Sequence, residues 1–148
     1  MYKRHIRSAA LCFGVVSIAA FVFELEYHTI AEMAITVASI AMGVYIAAVA
    51  SLLGSEYAKE LRVKTDPEHR NKTMLGVLAD YFRWASVSCM ILIVVSCLFL
   101  IPSNIDFLPI ILKLGSSFSY GLFATNILLV WYILIFLINS LGKAAKNI

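Results

Sequence analysis

Four apolar runs, at 8–23, 30–53, 84–101 and 118–141, constrain this chain more than anything else in it. Each is about as long as the roughly 17–25 residues that cross the hydrocarbon of a bilayer. The runs fill most of the 148 residues, of which 61% are hydrophobic and 14% charged. A soluble domain has about 25% charged residues, so this much apolar surface cannot be hidden from water in one core. The expectation is an all-α, polytopic membrane protein forming one domain. Its transmembrane helices are expected at about 8–25, 30–53, 84–101 and 116–141. The start, MYKRHIRSAALCFGVV, imitates a signal peptide, but bulky and acidic Val22-Phe23-Glu24-Leu25 stands where small residues should mark cleavage. We read it as a retained helix.

Charge placement predicts orientation. Eleven of the twelve Lys and Arg residues fall in the N-terminus (Lys3, Arg4, Arg7), the central loop (Lys59, Arg62, Lys64, Arg70, Lys72, Arg83) and the tail (Lys143, Lys146), leaving Lys113 alone in an opposite loop. Basic loops stay in the cytoplasm, so four spans with both termini and the central loop inside satisfy the pattern. The localisation expected is the cell membrane, the inner membrane if the source is bacterial.

The second span carries small residues every four positions, Ser39, Gly43, Ala47, Ser51 and Ser55. Lipid gives helices no hydrophobic reason to associate, so close backbone approach at small residues is a main driving force. A second, heptad-spaced set, Gly43, Ala47, Ala50, Gly54, Tyr57 and Leu61, is expected to face the third span within the chain. That leaves Ser39, Ser51 and Ser55 nearer a neighbouring helix or subunit, and a homo-oligomer is expected.

Beyond Leu53 the apolar spacing continues, with ion-pair spacing at Glu56–Lys59 and Glu60–Lys64, which extends the second helix to about 65. Asp66-Pro67 reads as a helix N-cap and first position, starting a helix from about 67 that runs into the third span. The two arms form an antiparallel hairpin standing roughly 18 Å above the cytoplasmic surface. Its exposed Glu56, Lys59, Arg62, Lys64, Arg70 and Lys72 are near balance in sign, which suits a cytosolic or membrane protein partner and not nucleic acid.

Elsewhere the expectations are local. Thr29 with Glu32 fits a capping box at the start of the second helix. The apolar piece 107–114 is too short to span, and is expected at the outer interface with Pro109 and Gly115 as its breaks. Asn126 is the strongly polar side chain near mid-membrane. It serves either as interhelical glue, worth about 0.6 and up to about 1–2 kcal/mol, or as part of a polar ring in an oligomeric pore. Trp131-Tyr132 lies deeper in the fourth span than interfacial aromatics usually do.

Catalytic chemistry is missing from the pattern. No span carries a mid-membrane carboxylate, which small four-helix multidrug exporters need in their first helix. His5, His28 and His69 fall in different loops, and Cys12, Cys89 and Cys97 sit in apolar runs without a disulfide framework. Membrane glutathione transferases of similar length need an Arg- and Glu-bearing motif that is absent. Glu24, Glu26 and His28 lack metal-ligand spacing. No catalytic residue, metal or cofactor is therefore expected.

A basic N-terminus, a small-residue helix (SIAMGVYIAAVASLLGSEY) and a charged segment (KELRVKTDPEHRNK) together make a layout. It resembles the small four-helix inner-membrane proteins of phage-exclusion and anti-phage defence systems, of the lambda RexB type. The resemblance implies a protein that oligomerises, senses or perturbs the membrane, and works with a cytosolic partner. It carries over no functional residue. The leading expectation is thus a non-enzymatic oligomeric module coupling a membrane event to a cytosolic partner. The alternatives are a depolarising pore lined by Asn126 or the serines of the second helix, and a small transporter subunit.

Overall fold

A computed structural model describes residues 2–66, 72–101 and 109–144, with the backbone alone at 56, 57, 60, 109 and 139–144. The described residues form five helices: α1 (Lys3–Val22), α2 (His28–Leu53), α3 (Glu56–Val63), α4 (Met74–Leu100) and α5 (Pro109–Ala144). All but α3 are long and apolar enough to cross a membrane. At about 1.5 Å per residue, even the 20 residues of α1 cover about 30 Å. Large apolar side chains stand exposed along them, as at Leu11, Val15, Ile40, Ile46, Val94 and Leu98. Such surface is stable in lipid and would aggregate in water. The chain is a multi-pass helical membrane protein.

The helices pack in the order α1, α5, α4, α2, with α1 resting mainly on α5 and α2 mainly on α4. The buried core lies along α2, α4 and α5 and runs from Tyr27 and Ala31 through Tyr45, Ala85 and Cys89 to Leu129 and Ile133. The start of α1, the end of α2, α3, the start of α4 and the later part of α5 meet at one end. The Tyr2–Asp66, Tyr2–Tyr81 and His5–Tyr132 contacts show this. The opposite end gathers Glu24, Tyr27, Phe99 and Lys113.

Helix boundaries differ from expectation in ways that local chemistry explains. The first helix starts at Lys3 and ends at Val22, not 25, because Glu24 turns left-handed at φ 51°. The Leu25 N–H then donates to the Ala20 carbonyl at 3.1 Å, the six-to-one bond of a Schellman closure, here built without glycine. The capping box does not form at α2. Tyr27 occupies the N-cap without a side-chain bond, and Thr29 Oγ1 donates back to the Glu26 carbonyl at 2.8 Å.

The second helix does not run on to 65. It stops at Leu53, with Gly54 as its C-cap, and a separate α3 follows. Ser55 makes the joint: its Oγ donates to the Leu52 carbonyl at 2.8 Å and accepts the Ala58 N–H at 3.2 Å. A serine that terminates one helix and caps the next is a strong break. The following helix likewise starts at Met74 rather than 67. Thr73 is its N-cap, accepting the Gly76 N–H at 3.2 Å, and residues 67–71 lie outside the described part. A short antiparallel bridge, Thr65 to Thr73, closes the intervening loop.

The fourth span is longer than expected. The segment from Pro109 to Leu114 is the first part of α5, so Pro109 begins the helix and Gly115 does not interrupt it. Proline suits the first helical position, where its missing N–H costs nothing. Residues 102–108 lie outside the described part. With α5 running from 109 to 144, Trp131-Tyr132 no longer falls at its centre, and Tyr132 stands level with the beginning of α1.

Candidate functional site

The structure divides α2 into two faces with different uses. Ala31, Ala34, Ala38, Ala41 and Tyr45 are buried and Ala48 and Leu52 partly so, a strict three-four spacing. The answering positions on α4, Leu78, Phe82, Ala85, Cys89, Leu92 and Ser96, keep the same rhythm and are buried too. This is a heptad seam, with small residues allowing close approach. Tyr27 locks one end by a 2.7 Å hydrogen bond to Ser96, and Tyr45 meets Phe82 edge to face at 6.1 Å near the other.

The heptad seam expected from sequence is therefore displaced. Gly43, Ala47, Ala50 and Gly54 are exposed, together with Ser39 and Ser51. A Cβ placed on Gly43 or Gly54 would meet nothing within 4 Å. Ser55 is half-buried because its hydroxyl serves the helix break. Leu61, on α3, is buried as expected of that set. The alanine stripe was as visible in the sequence as the glycine stripe. Tyr45 hid it, because so large a side chain does not look like a member of a close-packed seam.

Asn126 joins α5 to α4. Its Nδ2 donates to Ser88 Oγ and to the Leu122 carbonyl, each at 3.0 Å, and its Oδ1 accepts from Cys89 Sγ at 3.0 Å. With 3% of its surface exposed, it is bonded inside the chain and faces no lumen formed by this chain. Small hydroxyl side chains on α5 behave alike, Ser117, Ser119 and Thr125 each donating to a carbonyl four residues back.

Of the six charged residues expected to face a partner, Lys59, Arg62, Lys64 and Lys72 are exposed. The Glu56 side chain and Arg70 lie outside the described part. Lys72 reaches Asp80 on α4 at 2.6 Å, which ties the loop to the helix. Asp66, expected to cap a helix in residues 67–71, which lie outside the described part, is 1% exposed and accepts from Tyr2 Oη at 2.6 Å. Its own N–H donates to the Lys72 carbonyl at 2.9 Å.

Tyr2 is part of a polar clasp that sequence spacing could not reveal. The Tyr2 N–H donates to Tyr81 Oη at 3.2 Å, and the same hydroxyl pairs with His5 Nδ1. The His5 ring, in α1 and not in a loop, stacks on Tyr132 at 4.2 Å and 11°, and Tyr132 Oη pairs with Ser8 Oγ. Residues from 64 positions apart (Tyr2 and Asp66) to 124 apart (Ser8 and Tyr132) and beyond thus fasten α1, the loop, α4 and α5 at one end. Its chemistry is that of a latch: hydroxyls, one imidazole and one carboxylate satisfying each other out of water.

Among the described residues no three His, Cys, Asp or Glu side chains gather as metal ligands, and Cys12, Cys89 and Cys97 are free thiols. At the far end Glu24 and Lys113 form an exposed 2.7 Å ion pair, whose hydrogen bond and charge hold the Glu24 carboxyl below its ordinary range. No protein-family model matches this chain, and neither does any curated protein or solved structure.

Proposed function

We propose that this protein is a non-enzymatic, self-associating membrane module that couples a membrane event to a cytosolic partner. In this reading both termini, α3 and the 64–73 loop are cytoplasmic. The charge rule supports it, since Lys3, Arg4, Arg7, Lys59, Arg62, Lys64, Lys72 and Arg83 come to the latched end and Lys113 to the other. Copies associate through the outer face of α2, and α3 with the loop presents the charged surface.

One observation carries the reading: α2 uses its alanine face on α4 and leaves Ser39, Gly43, Ala47 and Ser51 uncovered, on the helix that leads directly into α3. A change in crossing angle between two copies would reach α3 across the Gly54–Ser55 joint. In this reading α3 pivots at that joint, in place of the continuous hairpin arm expected from sequence. Membrane-based phage exclusion is the setting that the resemblance implies for such a device.

Replacing Gly43 and Ala47 with Leu tests the proposal. The variant is expected to run as a smaller species than the wild type in mild detergent. Unchanged oligomer size sinks it. Asn126 uses its hydrogen bonds inside the chain, so the pore alternative falls back on the serines of α2 for its lining.

A further inference from the structure

At the end opposite the latch, two spaces adjoin. The inner one is an apolar groove of about 700 Å³ between α1, α4 and α5, walled by Phe13, Phe21, Phe99 and Phe118. The outer one is a vestibule of about 600 Å³ of mixed lining, where Leu25, Phe99 and Leu112 stand with Glu24, Glu26 and Lys113. Phe99 lines both, so they make one cleft with a dry wall and a wet mouth. Each volume falls within the roughly 300–1,000 Å³ of small-molecule sites.

The groove is shaped by its residues. Gly115 lies in its lining, where an added Cβ would come within 3.2 Å of Phe99 Cζ, and Phe13 meets Phe118 edge to face at 5.3 Å. The mouth is marked by Lys113, whose Nζ stands 4.5 Å over the Phe21 ring and 2.7 Å from Glu24 Oε1. A cation thus sits where groove meets vestibule, with the Glu24 carboxylate against it and Glu26 elsewhere on the vestibule border. Ser116 lines the same vestibule as Lys113.

We propose that the cleft holds one bilayer phospholipid with an amine-bearing zwitterionic headgroup, its acyl chain in the phenylalanine-walled groove. The phosphate lies against Lys113 and Ser116, and the ammonium group turns toward Glu24 and Glu26. Charge complementarity selects this occupant. A phosphate that takes Lys113 from Glu24 frees a carboxylate beside it, and a primary amine on the same headgroup takes that carboxylate, so the ion pair is exchanged charge for charge. The site belongs to a single chain and does not depend on assembly.

The test uses the full-length protein in phosphatidylcholine vesicles doped with trace phosphatidylethanolamine or phosphatidylglycerol, each carrying a photoactivatable acyl chain. After irradiation, labelled peptides are mapped. Phosphatidylethanolamine is expected to label the segments 13–21 and 111–118 about fivefold more than phosphatidylglycerol does, the ratio from about 1 kcal/mol per interfacial charge. Lys113→Ala and Leu114→Trp, the latter filling the groove, are expected to erase that preference with helical content unchanged by circular dichroism. Equal labelling by the two lipids overturns the proposal. So does labelling spread evenly to the Ile40 and Ile46 face of α2, and the wild-type map alone decides either.

Discussion

Gly43 and Gly121 look alike in the sequence, each in the middle of a long apolar run, and the fold treats them oppositely. A Cβ on Gly121 would collide with Ser17 Oγ and lie 2.9 Å from the Phe13 carbonyl oxygen. A Cβ on Gly43 would touch nothing. Gly121 is where α1 and α5 come close enough for backbone to meet backbone, while Gly43 faces outward from its own chain. Small residues permit close approach, but only the partner decides which of them is used.

This contrast can be broken from either side. The largest effect is expected at Gly121. Gly121→Leu should abolish the folded chain, and Gly121→Ala should cost about 1–3 kcal/mol through overpacking, measured by unfolding in mixed micelles. Next comes Asn126→Leu, which removes the α4–α5 hydrogen bonds and should cost about 0.6–1.7 kcal/mol in the same assay. Gly43→Leu should leave the stability of the single chain within about 0.5 kcal/mol, as at open surface sites, while reducing assembly seen by crosslinking.

The smallest effect is expected at Glu24. Its carboxyl is held low by the hydrogen bond and charge of Lys113, so its contribution is present above the unfolded-state value and fades as pH falls through the folded one. The pair is exposed, so screening keeps that contribution slight. In Lys113→Ala the carboxyl should titrate at a higher pH than in the wild type, followed by infrared difference spectroscopy. An unchanged titration would separate Glu24 from Lys113 in solution.

The spans were legible in the sequence because length and apolarity are local properties, and lipid demands both of them along one continuous segment. The breaks were less so. Continued apolar spacing through Gly54 and Ser55 masked a serine that caps a new helix, and Pro109 read equally well as a stop or as a start. The latch was invisible for a different reason. Tyr2, His5, Asp66, Tyr81 and Tyr132 have no spacing in common, since only the antiparallel pairing of α1 with α5 and of α5 with α4 brings them to one level. Asn126 was legible as polar and buried, but its partners Ser88 and Cys89 required the register.

The pairing of α1 with α5 also has a consequence for how the protein is made. Helix α1 leaves the ribosome before α5, on which it mainly rests and whose start is more than eighty residues further along the chain. At about 5–20 residues per second, α1 waits several seconds in the bilayer before that surface arrives. During that interval Phe13, Ser17 and the Tyr2–His5 end stand open to lipid, water and insertion factors. Docking of α5 closes that interval, and a nascent chain cut short before Pro109 leaves α1 without the surface it rests on.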